Sequence, residues 1–506
     1  MEEKRLQEAM LGADTETGCN IDIDVTREEA SWYSMLNAIS LALGSGMGIP
    51  MDEDEANKVL GNAGLCITDL PLSNPSLLKA IYKSGDPHLM QNYDEHNLST
   101  WRWPRESFDR SLRPQAQGWA IIAETECARM FESAQSSGKE RGQWSQTALL
   151  LAILARRQCE FAFSHLRDGR GLFAMSAEEG SVHITDSNTN LEDQMCMLWA
   201  CSDAASFAGK QGIFMDENAH NRFMLEADAL FSAILENKAT LLDTSINKIQ
   251  AQAVAVSSLA WYSTVTRSDD LRAAALRLLR EYADNLVGAQ DASESVGTTL
   301  VDAAEALRAL TEAFRVTKLR TYAEAATKIF DYVESQWWKL PGVYAQTPLS
   351  TEYTYNADEV AVIVGALNAA RLFLKERINR ELADLRMRLF FCKTVNTGGM
   401  QMSVPSADFL PTWLPKAGLE HHVCCMEMTL PGEAGGAFGI APVFAGEISY
   451  DPQSDTWAQN LLFDTQAAMR ACCEFMRLHN EVRGYPELDL SRAPASVREA
   501  AGVEAS

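Results

Sequence analysis

What most limits how this 506-residue chain can fold is a unit that it repeats. Leu172-Phe173-Ala174 is followed by a polar, hairpin-like loop and then by Glu192-Asp193-Gln194 at the start of a helical pattern. Val443-Phe444-Ala445 leads in the same way to Phe463-Asp464-Thr465-Gln466, and in both copies 20 residues separate the aromatic ring from the aspartate. A shorter copy runs from Val343-Tyr344-Ala345 to Asp358-Glu359, and a fainter one from Trp101 through Asp109 into the helical pattern at 114–130. The helices that follow carry few polar residues, as in Val360-Ala361-Val362-Ile363-Val364-Gly365. A helix that is apolar on most sides must be surrounded by protein. Units built on such helices bury them only by stacking or closing on one another.

Helical periodicity predicts helices near 27–43, 113–134, 144–165, 190–209, 219–237, 246–265, 269–287, 299–317, 319–336, 357–391 and 459–480. Asp269 and Asp270 open one of them, where negative charge suits the helix dipole. Links at 264–268 and 316–318 are short, which implies antiparallel neighbours. Strand patterns are sparse and fall in the longer loops, at 172–175, 182–185, 343–346 and 443–450. About six helix pairs result. Closed, they form an all-α (α/α)6 toroid with small β-hairpins in its long loops; open, they form a solenoid. No shift in composition divides the middle of the chain, so one toroid domain is expected over 25–483, between tails at 1–24 and 484–506.

With this repeat and this element order, the chain resembles the six-hairpin, or α/α-toroid, superfamily, which includes many glycosidases and sugar epimerases. The resemblance covers most of 27–480. It implies an enzyme acting on a carbohydrate or similar small polar ligand, in a pocket at the barrel end where the long loops gather. Glycoside hydrolysis requires one carboxyl as general acid and a second as base or nucleophile. Glu192, Asp193, Asp358, Glu359 and Asp464 all stand at inner-helix starts. Asp193 and Asp358 are the candidate catalytic pair, with Asp94, His96 and Asp109 as further candidates from the segment before residue 114. The competing reading is that acids at helix starts satisfy free N–H groups and the dipole, and their recurrence favours it. Trp101, Trp103, Tyr344, Tyr353 and Trp457 lie in loops where a sugar ring could stack on them, or where they wedge the loops onto the barrel.

Two other classes of function stay open. One is a non-catalytic binding or scaffold protein that uses the toroid as a platform. The other is a thiol- or metal-dependent enzyme centred on His421, His422, Cys424 and Cys425. Zinc accepts both residue types, but adjacent residues point in different directions and no CxxC pair is present. Gly44-Ser45-Gly46-Met47-Gly48 has no following Lys-Ser/Thr and succeeds a helix, so it is not a phosphate loop. No cofactor is expected. The net charge of −25 opposes binding to a phosphate backbone, so nucleic acid is not an expected partner. Neither a secretory pattern nor an apolar run of membrane-spanning length is seen, and most of the 11 cysteines sit in helical patterns. These features point to a cytoplasmic protein with buried thiols and no membrane partner.

Overall fold

The computed structural model describes residues 22–43, 45–67, 77–86, 105–135, 141–177, 183–186, 188–293, 299–338, 342–346, 353–401, 444–479 and 487–503. The helices are α1 (Ile23–Leu43), α2 (Glu53–Asn62), α3 (Pro114–Gln135), α4 (Arg141–His165), α5 (Leu191–Ala208), α6 (Glu217–Thr244), α7 (Lys248–Val265), α8 (Asp269–Ser293), α9 (Leu300–Thr317), α10 (Arg320–Ser335), α11 (Ala357–Phe373), α12 (Arg377–Phe391), α13 (Thr465–Met476) and α14 (Ala495–Ala500).

They pack as six pairs: α3 with α4, α5 with α6, α7 with α8, α9 with α10, α11 with α12, and α13 with α1. The first member of each pair also packs on the next. The series α3, α5, α7, α9, α11, α13 returns from α13 to α3. The ring is closed, and the fold is an (α/α)6 toroid. The inner helices are the apolar ones. Every residue of α11 from Val360 to Ala370 is buried, whereas outer α10 buries only one face. An all-round apolar surface is satisfied only inside such a ring. Helix α1, near the start of the chain, completes the outer layer by packing on α13, near its end.

One difference from the expected elements concerns 357–391, which is two helices and not one. Leu374 takes an extended conformation, and Arg380 donates to the carbonyls of Leu374 and Lys375. Apolar periodicity runs through this turn, which has neither Gly nor Pro to mark it. The helix expected at 459–480 starts only at Thr465, because 456–460 is a strand and Asp464 is the cap.

Most connections into inner helices are long and carry short antiparallel strands, whereas α5–α6, α7–α8, α9–α10 and α11–α12 are joined by short turns. The mouth of the barrel is therefore the end where inner helices begin. Strand β2 (Leu78–Ile81) pairs with β1 (Gly48–Pro50). Strand β3 (Ser84–Gly85) lies between β4 (Phe108–Asp109) and β13 (Phe463–Asp464). Strand β6 (Met175–Ala177) joins β5 (Ser111–Leu112) to β7 (His183–Asp186). Strands β8 (Trp337–Trp338) and β9 (Val343–Tyr344) form a hairpin, and β10 (Tyr353–Asn356), β11 (Glu447–Asp451) and β12 (Thr456–Asn460) a three-stranded sheet.

The repeated aromatic has a structural role. Phe173, Tyr344 and Phe444 are each fully buried. They meet Phe163, Phe390 and Phe475 edge-on at centroid distances of 5.1, 5.5 and 5.6 Å. Each wedges its loop against the helices. Glutamines of the inner helices then clamp the loop backbone. Gln194 exchanges two hydrogen bonds with Phe173, and Gln117 does the same with Ile81.

Candidate active site

The first turns of the inner helices supply the polar groups of the mouth, and capping decides which are free to act. Asn190 caps α5 by accepting from the Asp193 N–H. Asn356 and Glu359 form a capping box on α11. Asp464 is itself the cap of α13, accepting from the Ala467 N–H at 2.9 Å. Glu192 accepts from the Ser245 hydroxyl at 2.7 Å. The equal 20-residue spacing of the two repeats thus ends on unlike positions: Asp464 is a cap, and Asp193 is the third residue of its helix. Asp193 and Asp358 thus lie in first turns whose caps are supplied by Asn190 and Asn356.

Asp193 has amide partners. The Asn190 Nδ2 donates to it at 3.0 Å, and Gln115 at the start of α3 also hydrogen-bonds it. Gln466 of α13 donates to the Gln115 side-chain oxygen at 2.8 Å. Burial raises the Asp193 pKa to about 6 against the pull of Gln115, and the charge of nearby Glu192 adds to the rise. Asp358 has the opposite environment: both its oxygens accept from Arg470 Nη1, at 3.3 and 3.2 Å. Asp193 stands on α5 and Asp358 on α11, which face each other across the ring.

Below the mouth the barrel axis is filled by charge. Arg470 reaches Glu305 of α9 at 2.5 Å and lies over the Trp119 ring at 5.1 Å. Arg308 pairs with Glu474. Arg477 joins Glu474 at 3.6 Å and Glu126 at 3.2 Å, and Arg129 joins Glu126 at 3.3 Å and Asp203 at 2.5 Å. Trp199 lies beneath both Arg308 and Arg477. Buried ions need this much pairing, because an uncompensated one costs several kcal/mol, on the order of 3–5. Gly365 makes room for the ladder, since a Cβ there would lie 2.7 Å from Glu474 Oε2. Sequence reading did not single out any of these ladder residues. The available signal was a set of charges set into otherwise apolar inner helices.

The other expected site residues fall elsewhere. Asp109 pairs with Lys83 at 2.8 Å and with the Ser111 hydroxyl at 2.6 Å. Partial burial would raise its pKa, but Lys83 and Ser111 outweigh that and hold it below the usual range. Tyr344 and Tyr353 are buried and present no open face to a ligand. The Tyr344 hydroxyl donates to Glu334, itself paired with Arg386. Trp457 is partly exposed and packs on Tyr450 at 5.1 Å, which in turn meets Tyr353 at 6.0 Å. Asp94, His96, Trp101, Trp103, His421, His422, Cys424 and Cys425 lie outside the described residues. Among the described residues no group of three His, Cys, Asp or Glu side chains is placed to hold a metal. No described helix is long and apolar enough to cross a membrane. Cys127, Cys159, Cys196, Cys201, Cys472 and Cys473 are buried, free thiols.

No family model matches the sequence, and no curated protein matches it. Solved structures do. A sugar epimerase from a ruminal bacterium is 12% identical, with 80% of this chain and 93% of that chain covered and a TM-score of 0.48. A cellulase from C. cellulolyticum in complex with cellobiose is 9% identical, covering 90% and 98%, with a TM-score of 0.49. A glycoside hydrolase family 76 mannosidase from Bacteroides thetaiotaomicron is 9% identical, covering 89% and 98%, with a TM-score of 0.38.

Proposed function

We propose that the chain is a carbohydrate-acting enzyme of hydrolase or epimerase type, with Asp193 as general acid and Asp358 as base. The observation that carries this reading is the contrast in partners between two carboxyls at inner-helix starts. Asp193 is recessed among amides with a pKa raised to about 6, while Asp358 is paired with the Arg470 guanidinium. An acid held by amides and an acid held by a guanidinium are suited to opposite roles in acid/base chemistry. Asp193 in its neutral form gives a proton to a substrate oxygen. Asp358 as carboxylate takes one from water or from the substrate. Gln115, Gln466 and Asn190 surround the acid with hydrogen-bonding groups suited to sugar hydroxyls.

The test is turnover of a panel of oligosaccharides and reducing sugars by the wild type, Asp193→Asn and Asp358→Asn. Each substitution is expected to lower turnover by about 10²-fold or more, with little change in melting temperature. The wild-type rate should fall as pH rises through about 6, as Asp193 loses its proton. Variants that lose stability and not turnover would show both acids to be structural.

A second reading, a non-catalytic binding platform, is favoured by one observation: the axis beneath the mouth holds buried ion pairs and rings. That reading expects ligand binding without turnover, and binding that survives Asp193→Asn.

A further inference from the structure

Resting on the reading of Asp193 as the acid, we propose that Gln466 is its positioning residue, which fixes, through Gln115, the end of an amide that Asp193 meets. Gln466 is the second residue of α13 and Gln115 the second of α3. These two inner helices pack together where the ring closes. The Gln466 Nε2 donates to the Gln115 side-chain oxygen at 2.8 Å. A side-chain amide has one accepting end and one donating end. With its oxygen taken by Gln466, Gln115 has its donating end left for Asp193, which it hydrogen-bonds. Asn190 brings a second amide donor to the same carboxyl, at 3.0 Å from Oδ2. One turn after Gln466, Arg470 of the same helix holds Asp358, so α13 reaches the surroundings of both proposed catalytic acids.

The row Gln466, Gln115, Asp193 therefore has a direction. Each amide donates to the next group, and the last donor meets a carboxyl. A donor in that place favours the carboxylate, whereas an amide oxygen there would require Asp193 to keep its proton. Burial raises the Asp193 pKa to about 6, and Gln115 opposes the rise. The direction of the row thus sets the pH at which the acid releases its proton. The charges acting on Asp193 are Glu192 of its own helix and Arg113 ahead of α3. Around the first turn of α5, Glu192 accepts from Ser245 at the end of α6, and Lys248 at the start of α7 pairs with Asp243 at 3.0 Å. Arg170, which reaches Thr189, pairs with Asp168 at 2.7 Å. Asp464 caps α13, and Cys196, one turn further along α5, is a buried thiol.

The experiment is an NMR titration of the full chain carrying isotope-labelled aspartate, with the Asp193 carboxyl identified by its loss in Asp193→Asn. The wild-type midpoint is expected at about 6. The side chain placed by Gln466→Glu only accepts, so Gln115 turns its donors to it and its oxygen to Asp193; the midpoint should rise about tenfold in proton affinity, to about 7 or above. Negative charge suits the first turn of a helix, so this variant is expected to fold. Gln466→Lys only donates and keeps the direction of the row, so the midpoint should stay at or below about 6. Charge at position 466 also acts through space. Gln466→Glu is therefore repeated in a Gln115→Met background, where most of the rise should vanish. No rise, a rise of equal size in both backgrounds, or a rise with Gln466→Lys would each overturn the inference. On any sugar that is turned over, the falling limb of the rate against pH should move with the NMR midpoint in every variant. NMR shifts as expected with no sugar turned over would remove the carbohydrate reading and leave the role of Gln466 standing. Turnover that depends on Asp193, without those shifts, would do the reverse.

Discussion

Glu124 shows what burial does to a carboxyl when no cation is near. It lies on α3, fully buried, and accepts from Gln158 Nε2 of α4 at 2.6 Å, while Oε2 has no partner. Burial raises its pKa to about 8, against the opposing hydrogen bond from Gln158. A folded-state value above the unfolded one means that its contribution to stability is complete below about pH 4.5 and is lost as pH rises through about 8. Ionising it in place costs roughly 3–5 kcal/mol. Glu124→Gln keeps the shape and removes the proton equilibrium. The variant should match the wild type near pH 5 and be markedly more stable near pH 9 in urea titrations. A stability difference that stays constant over that range would contradict the assignment. The contrast with Glu126, two residues on, is instructive: Arg129 and Arg477 outweigh its burial and hold its pKa low.

At the scale of single helices, the box at the start of α11 places the proposed base. Asn356 accepts from the Glu359 N–H, and Glu359 accepts from the Asn356 N–H, both at 2.9 Å. Asp358 sits between them. Asn356→Ala should cost about 1–2 kcal/mol in a denaturant titration. It should also reduce turnover, because the turn that aims Asp358 at Arg470 frays. Unchanged turnover at reduced stability would separate the cap from the site. Much of this level was legible in the sequence. Periodicity located the ring-forming helices, and the repeat announced the wedged loops, because both signals are local. The break at Leu374 was not legible, since its signal is an Arg380 side chain reaching back and not a change in pattern. Asp193 and Asp358 could be named as residues. Their separation from the capping acids could not, because that depends on which neighbour reaches each N–H first. The ladder was hidden for another reason: Arg470 and Glu305 lie 165 residues apart, and only closure brings them together.

Closure also governs how the whole molecule holds together. An open array of helix pairs is stabilised by nearest neighbours, so it tolerates loss of an end unit and unfolds piecewise. A closed ring does not. Helix α13 packs on α3 and α11 at once and carries Arg470 and Glu474, with Arg477 as its C-cap. Of the four arginines of the axial ladder it supplies Arg470, with Arg477 directly after it, together with the Glu474 that Arg308 and Arg477 share. A chain ending at residue 464 would expose the apolar faces of α3 and α11. It would leave Glu305, Arg308 and Glu126 without Arg470, Glu474 and Arg477 in the interior. Removing one member of a buried pair costs about 3–5 kcal/mol, and several would be lost together. Such a chain is expected to lose its cooperative unfolding transition while keeping much of its helical circular dichroism, since each remaining pair retains its local contacts. An open solenoid of the same helices would instead keep its near-ultraviolet signal and melt at a modestly lower midpoint. Thermal melts of the truncated and full-length chains, followed by far- and near-ultraviolet circular dichroism, distinguish the two. A truncated chain with intact near-ultraviolet signal and a single transition would show that the ring does not depend on its closing helix.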